Sequence, residues 1–339
     1  MSDPGVLIVG ASQAGAQLAA SLRDLGVTRP ITLVGGEPHL PYQRPPLSKA
    51  FLSGKAEAEQ LLLRSPAYYA DRDIEVVTGE WIQHIEVAET GGCASGASGR
   101  TFDFSQLALT VGGTPRRLPV RGADLGNVFY LRDIDDATAL RAGLAMAERV
   151  VVVGGGFVGL EAAAVARTLG KEVTVVEALD RLMARAVAPV VSSFYLEAHE
   201  RRGTRVLLDT GVVGLSGDGA VTSVELTDGS SLPADIVLVG VGLIPHTDLA
   251  EQLGLRCEGG VVIDERARTS RSGVVAAGDC TTLQLPSRDG LLRIESVANA
   301  IAQGRAAAAT LADVDDPLAA VPWFWSDQGD IKLQIAGLS

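Results

Sequence analysis

The stretch 150–177, VVVVGGGFVGLEAAAVARTLGKEVTVVE, constrains the fold more than any other part of this chain. Four consecutive valines, Val150–Val153, leave no polar face for solvent, as expected of a strand inside a parallel sheet covered on both sides. A glycine turn, an alanine-rich helix and a second apolar run, Val173–Val176, complete a βαβ unit. The three glycines serve different purposes. Gly154 makes the tight turn, Gly156 lets a pyrophosphate approach the backbone, and Gly159 lets helix and strand pack closely. The helix beginning there directs unpaired N–H groups and its positive dipole end at the phosphates. Glu177 closes the second strand, where a carboxylate can accept hydrogen bonds from a ribose diol. A GxGxxG alone is weak evidence. Strand, turn, helix, strand and terminal acid in this order read as a dinucleotide site.

The opening of the chain repeats the pattern. Val6–Val9 is apolar, Gly10–Gly15 (GASQAG) is the turn, Ala16–Leu25 reads as a helix and Ile31–Val34 as the next strand. Ser12 takes the place of the middle glycine, and Gly35 and Gly36 occupy the strand end, so Glu37 becomes the candidate ribose ligand. Two such units in one chain imply two nucleotide sites.

Between them, PHLPYQRPPLSK (38–49) carries four prolines that forbid a helix until about Leu47 and present Arg44 and Lys49 from a rigid loop. Leu61–Leu63, Ile74–Val77 and Trp81–Val87 read as short strands, Gly91–Gly99 as a hairpin tip and Phe102–Val111 as one strand. That strand ends in GGTP, a domain crossing. Helices are expected over Leu131–Met146 and Pro189–Arg201, and strands near Val206–Leu208, Val221–Leu226 and Ile236–Val239. The run VGVGLIP (239–245), with Gly242, returns the chain to the first domain. One nucleotide domain is thus inserted in the other. Gly260–Asp264 and Val274–Ala277 complete the outer domain. Asp279 lies just beyond the second of these, placed to bind a sugar hydroxyl at the carboxyl end of the sheet. A helix over Arg293–Leu311 follows, and Val321–Leu338 changes character, with two tryptophans and then an alternating strand.

At 339 residues the chain can hold two domains and part of a third. Hydrophobic residues make up 47%, which suits buried sheets, and the formal charge of −12 argues against nucleic acid or an anionic membrane as principal partner. MSDPG lacks the basic and apolar regions of a signal peptide, and no segment is apolar for long enough to span a bilayer, so a cytoplasmic location is expected. Cys93, Cys257 and Cys280 are scattered and include no CxxC, which removes a redox-disulfide relay. The four histidines have no ligand spacing, and no metal site is expected.

Several stretches together resemble the FAD-dependent, NADH-using ferredoxin reductases of the putidaredoxin reductase type, which serve aromatic-ring dioxygenases and cytochrome P450 systems. They are Gly10–Gly15, LPYQRPPLSKAFL, YLRDIDDA, VVVGGGFVGLEAAAVA, AAGDC, RIESVANA and PWFWSDQ. The resemblance implies an α/β fold of two Rossmann-like domains of the glutathione-reductase type, one inserted in the other. FAD binding is implied for 1–112 and 244–320 and NAD binding for 113–243, with 321–339 opening an incomplete α+β interface domain.

Carried over by residue, Gly10, Ser12, Ala14 and Gly15 form the FAD pyrophosphate turn, and Glu37 stands in for a ribose acid usually found at Gly36. Lys49 lies near the flavin, Ile82 offers its backbone to the adenine, and Arg44 and Arg132 help hold the cofactor. Asp279 binds the ribityl chain, Val297 the pyrimidine end of the ring, and Trp325 borders the isoalloxazine. Gly154, Gly156, Gly159, Glu177 and Gly242 belong to the NAD site. The similarity further implies hydride transfer from NADH to flavin, with a Lys49–Glu161 ion pair beside the reacting nitrogen. Electrons then leave for a [2Fe–2S] ferredoxin, with Arg305 on the docking side, from a monomer or dimer. A rubredoxin or quinone reductase, or a slowly turning-over redox sensor like apoptosis-inducing factor, would share both nucleotide sites.

Overall fold

In a computed structural model, residues 3–88, 90–285 and 289–337 are described. The chain divides into two compact units, Met1–Gln43 with Leu62–Thr114 and Pro245–Phe324, and Arg44–Leu61 with Pro115–Ile244 and Trp325–Ser339. The sequence reading groups 44–61 with the outer domain and 321–339 with a further one. In the structure both 44–61 and 325–339 cluster with the second unit, because Leu52, Ile331, Leu333 and Ile335 pack on its apolar core.

The first unit is built on a five-stranded parallel sheet in the order 274–276, 106–109, 6–9, 31–34, 74–77. Chain order reverses between Val6–Val9 and Gln106–Leu109, which creates the crevice where doubly wound sheets take their ligands. Helix Gln13–Asp24 packs on helix Val297–Leu311, and the approach is close: a Cβ at Gly304 would lie 2.8 Å from the Ala14 carbonyl oxygen.

The second unit repeats the plan. Its parallel sheet runs 205–207, 172–176, 149–153, 236–239, 128–130, with the reversal between Arg149–Val153 and Ile236–Val239. Val150–Val153 are all buried, as the unbroken apolar run requires. The Trp323–Gln328 and Ile331–Ala336 strands form a hairpin; Leu338, counted with the last strand in the sequence reading, lies outside the described residues.

Several expectations fail locally, among them the helix expected from Arg293, which begins at Val297. Phe102–Val111 is not one strand: it breaks at Ser105, whose N–H, with that of Gln106, goes to the Gly5 carbonyl, so 101–104 and 106–109 enter different sheets. The supposed tip 91–99 contains a strand, Gly92–Gly96, paired on both sides. Leu61–Leu63 is no strand; a 3-10 turn ends at Leu61 and Leu62 makes one isolated bridge to Tyr42. The helix expected from Leu131 begins at Ile134, because Asp133 and Asp136 close a capping box at its start. Among the described residues no helix is long and apolar enough to cross a membrane.

Candidate functional site

The two glycine turns stand at the two switch points and solve the same steric problem. Gly10 has φ +115°, and a Cβ there would lie 2.2 Å from the Thr110 carbonyl oxygen on the neighbouring strand. Gly154 has φ +106°, and its Cβ would lie 2.4 Å from the Gly240 carbonyl oxygen. Gly15 and Gly159 let each helix sit down on its strand: a Cβ would lie 2.2 Å from Gly10 O and 2.4 Å from Gly154 O, respectively. Gly156 is different. Its φ of −81° suits any residue, and the only atom near a Cβ there would be Gly240 O at 4.0 Å. Nothing in the protein demands glycine at 156, so the space above it suits a group that is not protein, and a phosphate at a helix start fits. The residues present therefore fit a dinucleotide.

Glu177 holds this turn from the end of its strand. Its carboxylate accepts the Gly155 N–H at 2.6 Å on one oxygen and the Leu179 N–H at 2.9 Å on the other. These two bonds aim the carboxylate and leave lone pairs for a diol. The neighbouring Arg181 guanidinium is occupied by its own loop, donating to Ala184 O, Val187 O and Ser192 Oγ. Gly242, at φ +112°, lies beside Arg185.

In the first unit, Ser12, Glu37 and Asp279 follow the carboxyl ends of the strands 6–9, 31–34 and 274–276. Ser12 stands at the N-cap position of the helix after the first turn, without a side-chain bond to the helix N–H groups. Ala14 meets the 278 turn, where a Cβ at Gly278 would lie 3.1 Å from the Ala14 Cβ. Asp279 is half-buried next to that turn. Val297 opens its helix, so its N–H has no intrahelical acceptor. Glu37 receives the Tyr42 hydroxyl. Ile82 starts its strand at an irregularity in pairing between Ile82 and His84. Arg305 lies further along the 297–311 helix and is exposed. Gln303, which the sequence did not suggest, braces the 278 turn: its Oε1 accepts the Gly278 N–H at 2.7 Å and the Thr281 hydroxyl at 2.9 Å.

In the second unit, Lys49 and Glu161 come together. Lys49 Nζ donates to Glu161 Oε2 at 2.6 Å, with the lysine side chain 18% exposed and the glutamate 4%. Ser48 Oγ also donates to Oε2 at 2.6 Å, and Ser326 Oγ donates to Oε1 at 2.6 Å. Behind Ser326, Gln328 Nε2 donates to its oxygen at 3.3 Å, and His199 Nε2 lies 2.8 Å from Gln328 Oε1. If His199 donates, every bond in this chain points toward Glu161, as a buried carboxylate beside a lysine requires. Ser326 and Gln328 escaped the sequence reading, although a signal existed. They are polar residues two apart in an alternating strand, and so share one face, which is buried. Trp325 comes just before them, on the opposite face, and is half-buried. Arg44 and Arg132 also meet, Arg44 Nη1 donating to the Arg132 carbonyl at 2.7 Å, while the Arg132 N–H goes to Asp136 Oδ2 at 2.9 Å.

Burial holds the His199 imidazole below its ordinary value of 6.5, with the Gln328 bond opposing that shift and Arg202 adding to it. The unfolded chain then binds this proton more readily than the folded one. Stability is expected to be complete above about pH 6.5 and to fall as the pH drops from there through the lowered folded value. Urea midpoints at pH 7.5 and 5.5 check this, and His199→Asn should flatten the difference; an equal slope in the variant would assign it elsewhere.

The three cysteines are free, and burial pushes the Cys280 thiol up to about 11. The chain carries no CxxC pair for a redox-disulfide relay.

Residues 4–304 match the pyridine nucleotide-disulphide oxidoreductase family. The chain is 42% identical over 342 residues to rhodocoxin reductase of Rhodococcus erythropolis, covering 98% of this chain and 78% of that protein. It is also 42% identical over 337 residues to a ferredoxin–NAD(P)(+) reductase of a Sphingomonas species, covering 98% and 81%. Among solved structures, the covalent putidaredoxin reductase–putidaredoxin complex matches with a TM-score of 0.95 at 40% identity, covering 100% of this chain and 82% of that one. With two switch-point glycine turns and relatives of this kind along nearly its whole length, the chain belongs to the pyridine nucleotide-disulphide oxidoreductase family, on its ferredoxin reductase branch.

Proposed function

We propose that this protein passes electrons from NADH through FAD to a [2Fe–2S] ferredoxin that serves an oxygenase, in the cytoplasm. The observation that carries the reading is the pair of glycine turns at two sheet reversals, one in each unit, with no thiol pair beside either. The unit containing Gly10, Ser12, Ala14 and Gly15 takes FAD. There Glu37 serves the ribose, Ile82 the adenine, Asp279 the ribityl chain and Val297 the pyrimidine edge. The unit containing Gly154, Gly156, Gly159, Glu177 and Gly242 takes NADH. Arg44, Arg132 and Trp325 help hold the flavin, and Arg305 faces the ferredoxin.

Bound flavin supplies the chemistry itself, accepting a hydride and releasing electrons one at a time. The residues of the chain position and compensate charge. Glu161 fixes the Lys49 ammonium in one place, and a fixed cation favours negative charge on a neighbouring reduced ring. The Ser48 and Ser326 hydroxyls hold the carboxylate in turn. Glu177 accepts a ribose diol and repels a 2′-phosphate.

The test is NADH-dependent reduction of cytochrome c by the purified chain, with and without [2Fe–2S] ferredoxins. Stimulation by a ferredoxin is the expected result, with kcat/KM for NADH at least about tenfold above that for NADPH, some 1.4 kcal/mol. Stimulation by rubredoxin alone would reassign the acceptor. A colourless chain that refuses flavin would remove the reading altogether.

A further inference from the structure

Gly36 lies two residues past the second strand of the first unit, where nucleotide-binding folds of this kind place an acid for the adenosine ribose. It is not among the glycines with positive φ, so its backbone would accept a side chain. A neighbour excludes one. A Cβ at position 36 would lie 2.3 Å from Cε3 of Trp81, 3.0 Å from Cζ3 and 3.3 Å from Cδ2, all atoms of the six-membered ring of the indole. An acid at 36 and this placement of the indole at 81 are mutually exclusive.

The placement of Trp81 is fixed by backbone bonds. Gly35 N–H donates to Val77 O, Glu80 N–H to Gly35 O and Gly79 N–H to Glu37 O, so the loop after one strand is laced to the loop after the next. Trp81 O accepts the Ala97 N–H from the adjoining hairpin. The His246 ring stands edge-on to the indole at 5.7 Å, and its Nδ1 lies 3.2 Å from Val111 O. Despite these restraints the indole is 55% exposed. A rigidly held aromatic surface left in solvent at the carboxyl edge of a nucleotide-binding sheet is suited to stacking against a base.

We propose that Trp81, over Gly36, is the adenosine platform of this flavin site, and that stacking on the indole adds to what Glu37 gives the ribose in place of an acid at position 36. The proposal rests on FAD occupying this unit. It makes Trp81 a binding residue for the adenine half of FAD and gives it no part in the flavin ring's chemistry.

Equilibrium titration of the full chain, stripped of flavin, with FAD and separately with FMN tests this, because FMN lacks the adenosine half. Trp81→Ala should raise the Kd for FAD about ten- to a hundredfold, the usual worth of one base–aromatic stack, and leave FMN and NAD+ binding unchanged. Trp81→Phe should keep most of the affinity. Trp81→Leu, which covers Gly36 without an aromatic face, should lose it, and this pair serves if the alanine variant does not fold. Gly36→Glu should weaken FAD binding, and the double variant W81A/G36E should bind FAD more tightly than either single variant, since removing the indole vacates the space for the acid. An unchanged FAD Kd in Trp81→Ala and Trp81→Leu, or equal losses for FAD and FMN, would overturn the platform alone. A wild-type chain that takes no FAD would overturn the flavin assignment and the platform with it.

Discussion

Replacing Glu161 with alanine should destabilise the second unit by about 2–3 kcal/mol, less than the cost of breaking a fully buried ion pair because Lys49 stays partly solvated. The carboxylate, 4% exposed, receives the Lys49 ammonium and the Ser48 and Ser326 hydroxyls. Removing it takes the acceptor from one half-buried cation, which keeps the Pro45 carbonyl at 3.1 Å, and from the Ser48 and Ser326 hydroxyls. Glu161→Gln keeps the shape and one acceptor but turns an amide N–H toward a donor, so it should fall between wild type and alanine. Ser326→Ala, losing one hydrogen bond, should cost about 1 kcal/mol. The double variant K49M/E161L should be more stable than E161A, because apolar side chains of similar size leave no charge uncompensated. Urea unfolding measures each of these. In the same proteins, stopped-flow reduction of the flavin by NADH should slow about a hundredfold in Lys49→Ala, the scale of one preorganised electrostatic contact. An unchanged rate would leave Lys49 a purely structural cation.

Gly156→Val should raise the Kd for NADH by at least about a hundredfold, or roughly 2.7 kcal/mol, with only a small change in unfolding midpoint. The position has extended backbone, φ −81° and ψ 177°, which valine adopts readily, and a Cβ there would meet only one protein atom, at 4.0 Å. The Cβ would therefore meet no close protein atom and would fill the space proposed for the phosphates, leaving only the modest cost of valine at a helix N-cap. Gly159→Ala supplies the contrast. Its Cβ would lie 2.4 Å from Gly154 O and 3.1 Å from Val152 Cγ1, so it should destabilise by about 1–3 kcal/mol through overpacking. Wild-type NADH affinity in Gly156→Val would remove the pyrophosphate from this turn.

Both βαβ units were legible in the sequence because their signals are local. Buried parallel strands need unbroken apolar runs, and the glycines fall at fixed offsets from strand ends. The structure has these strands at Val6–Val9, Ile31–Val34, Arg149–Val153 and Glu172–Val176, within a residue of where the apolar runs put them. Where the reading failed, the deciding partner is often distant in the chain. A continuous-looking strand breaks at Ser105 because Gly5, about a hundred residues earlier, accepts the N–H groups of both Ser105 and Gln106. The capping box at Asp133 moved a helix start because side chains compete with the backbone at helix ends.

Sequence alone determined the fold class, the two glycine turns and the lack of a CxxC pair, since each depends on neighbouring residues. The tertiary structure decided what surrounds the reactive groups. Glu161 and Ser326 are 165 positions apart, His199 and Gln328 are 129 apart, and nothing local says they must meet. Whether Gly36 marks a lost ligand or a position covered by Trp81 depends likewise on two loops laced together beyond the sheet. Hydrogen bonds and ring contacts of this kind act over a few ångströms of space, whatever the distance along the chain, and only folding brings their partners within that range.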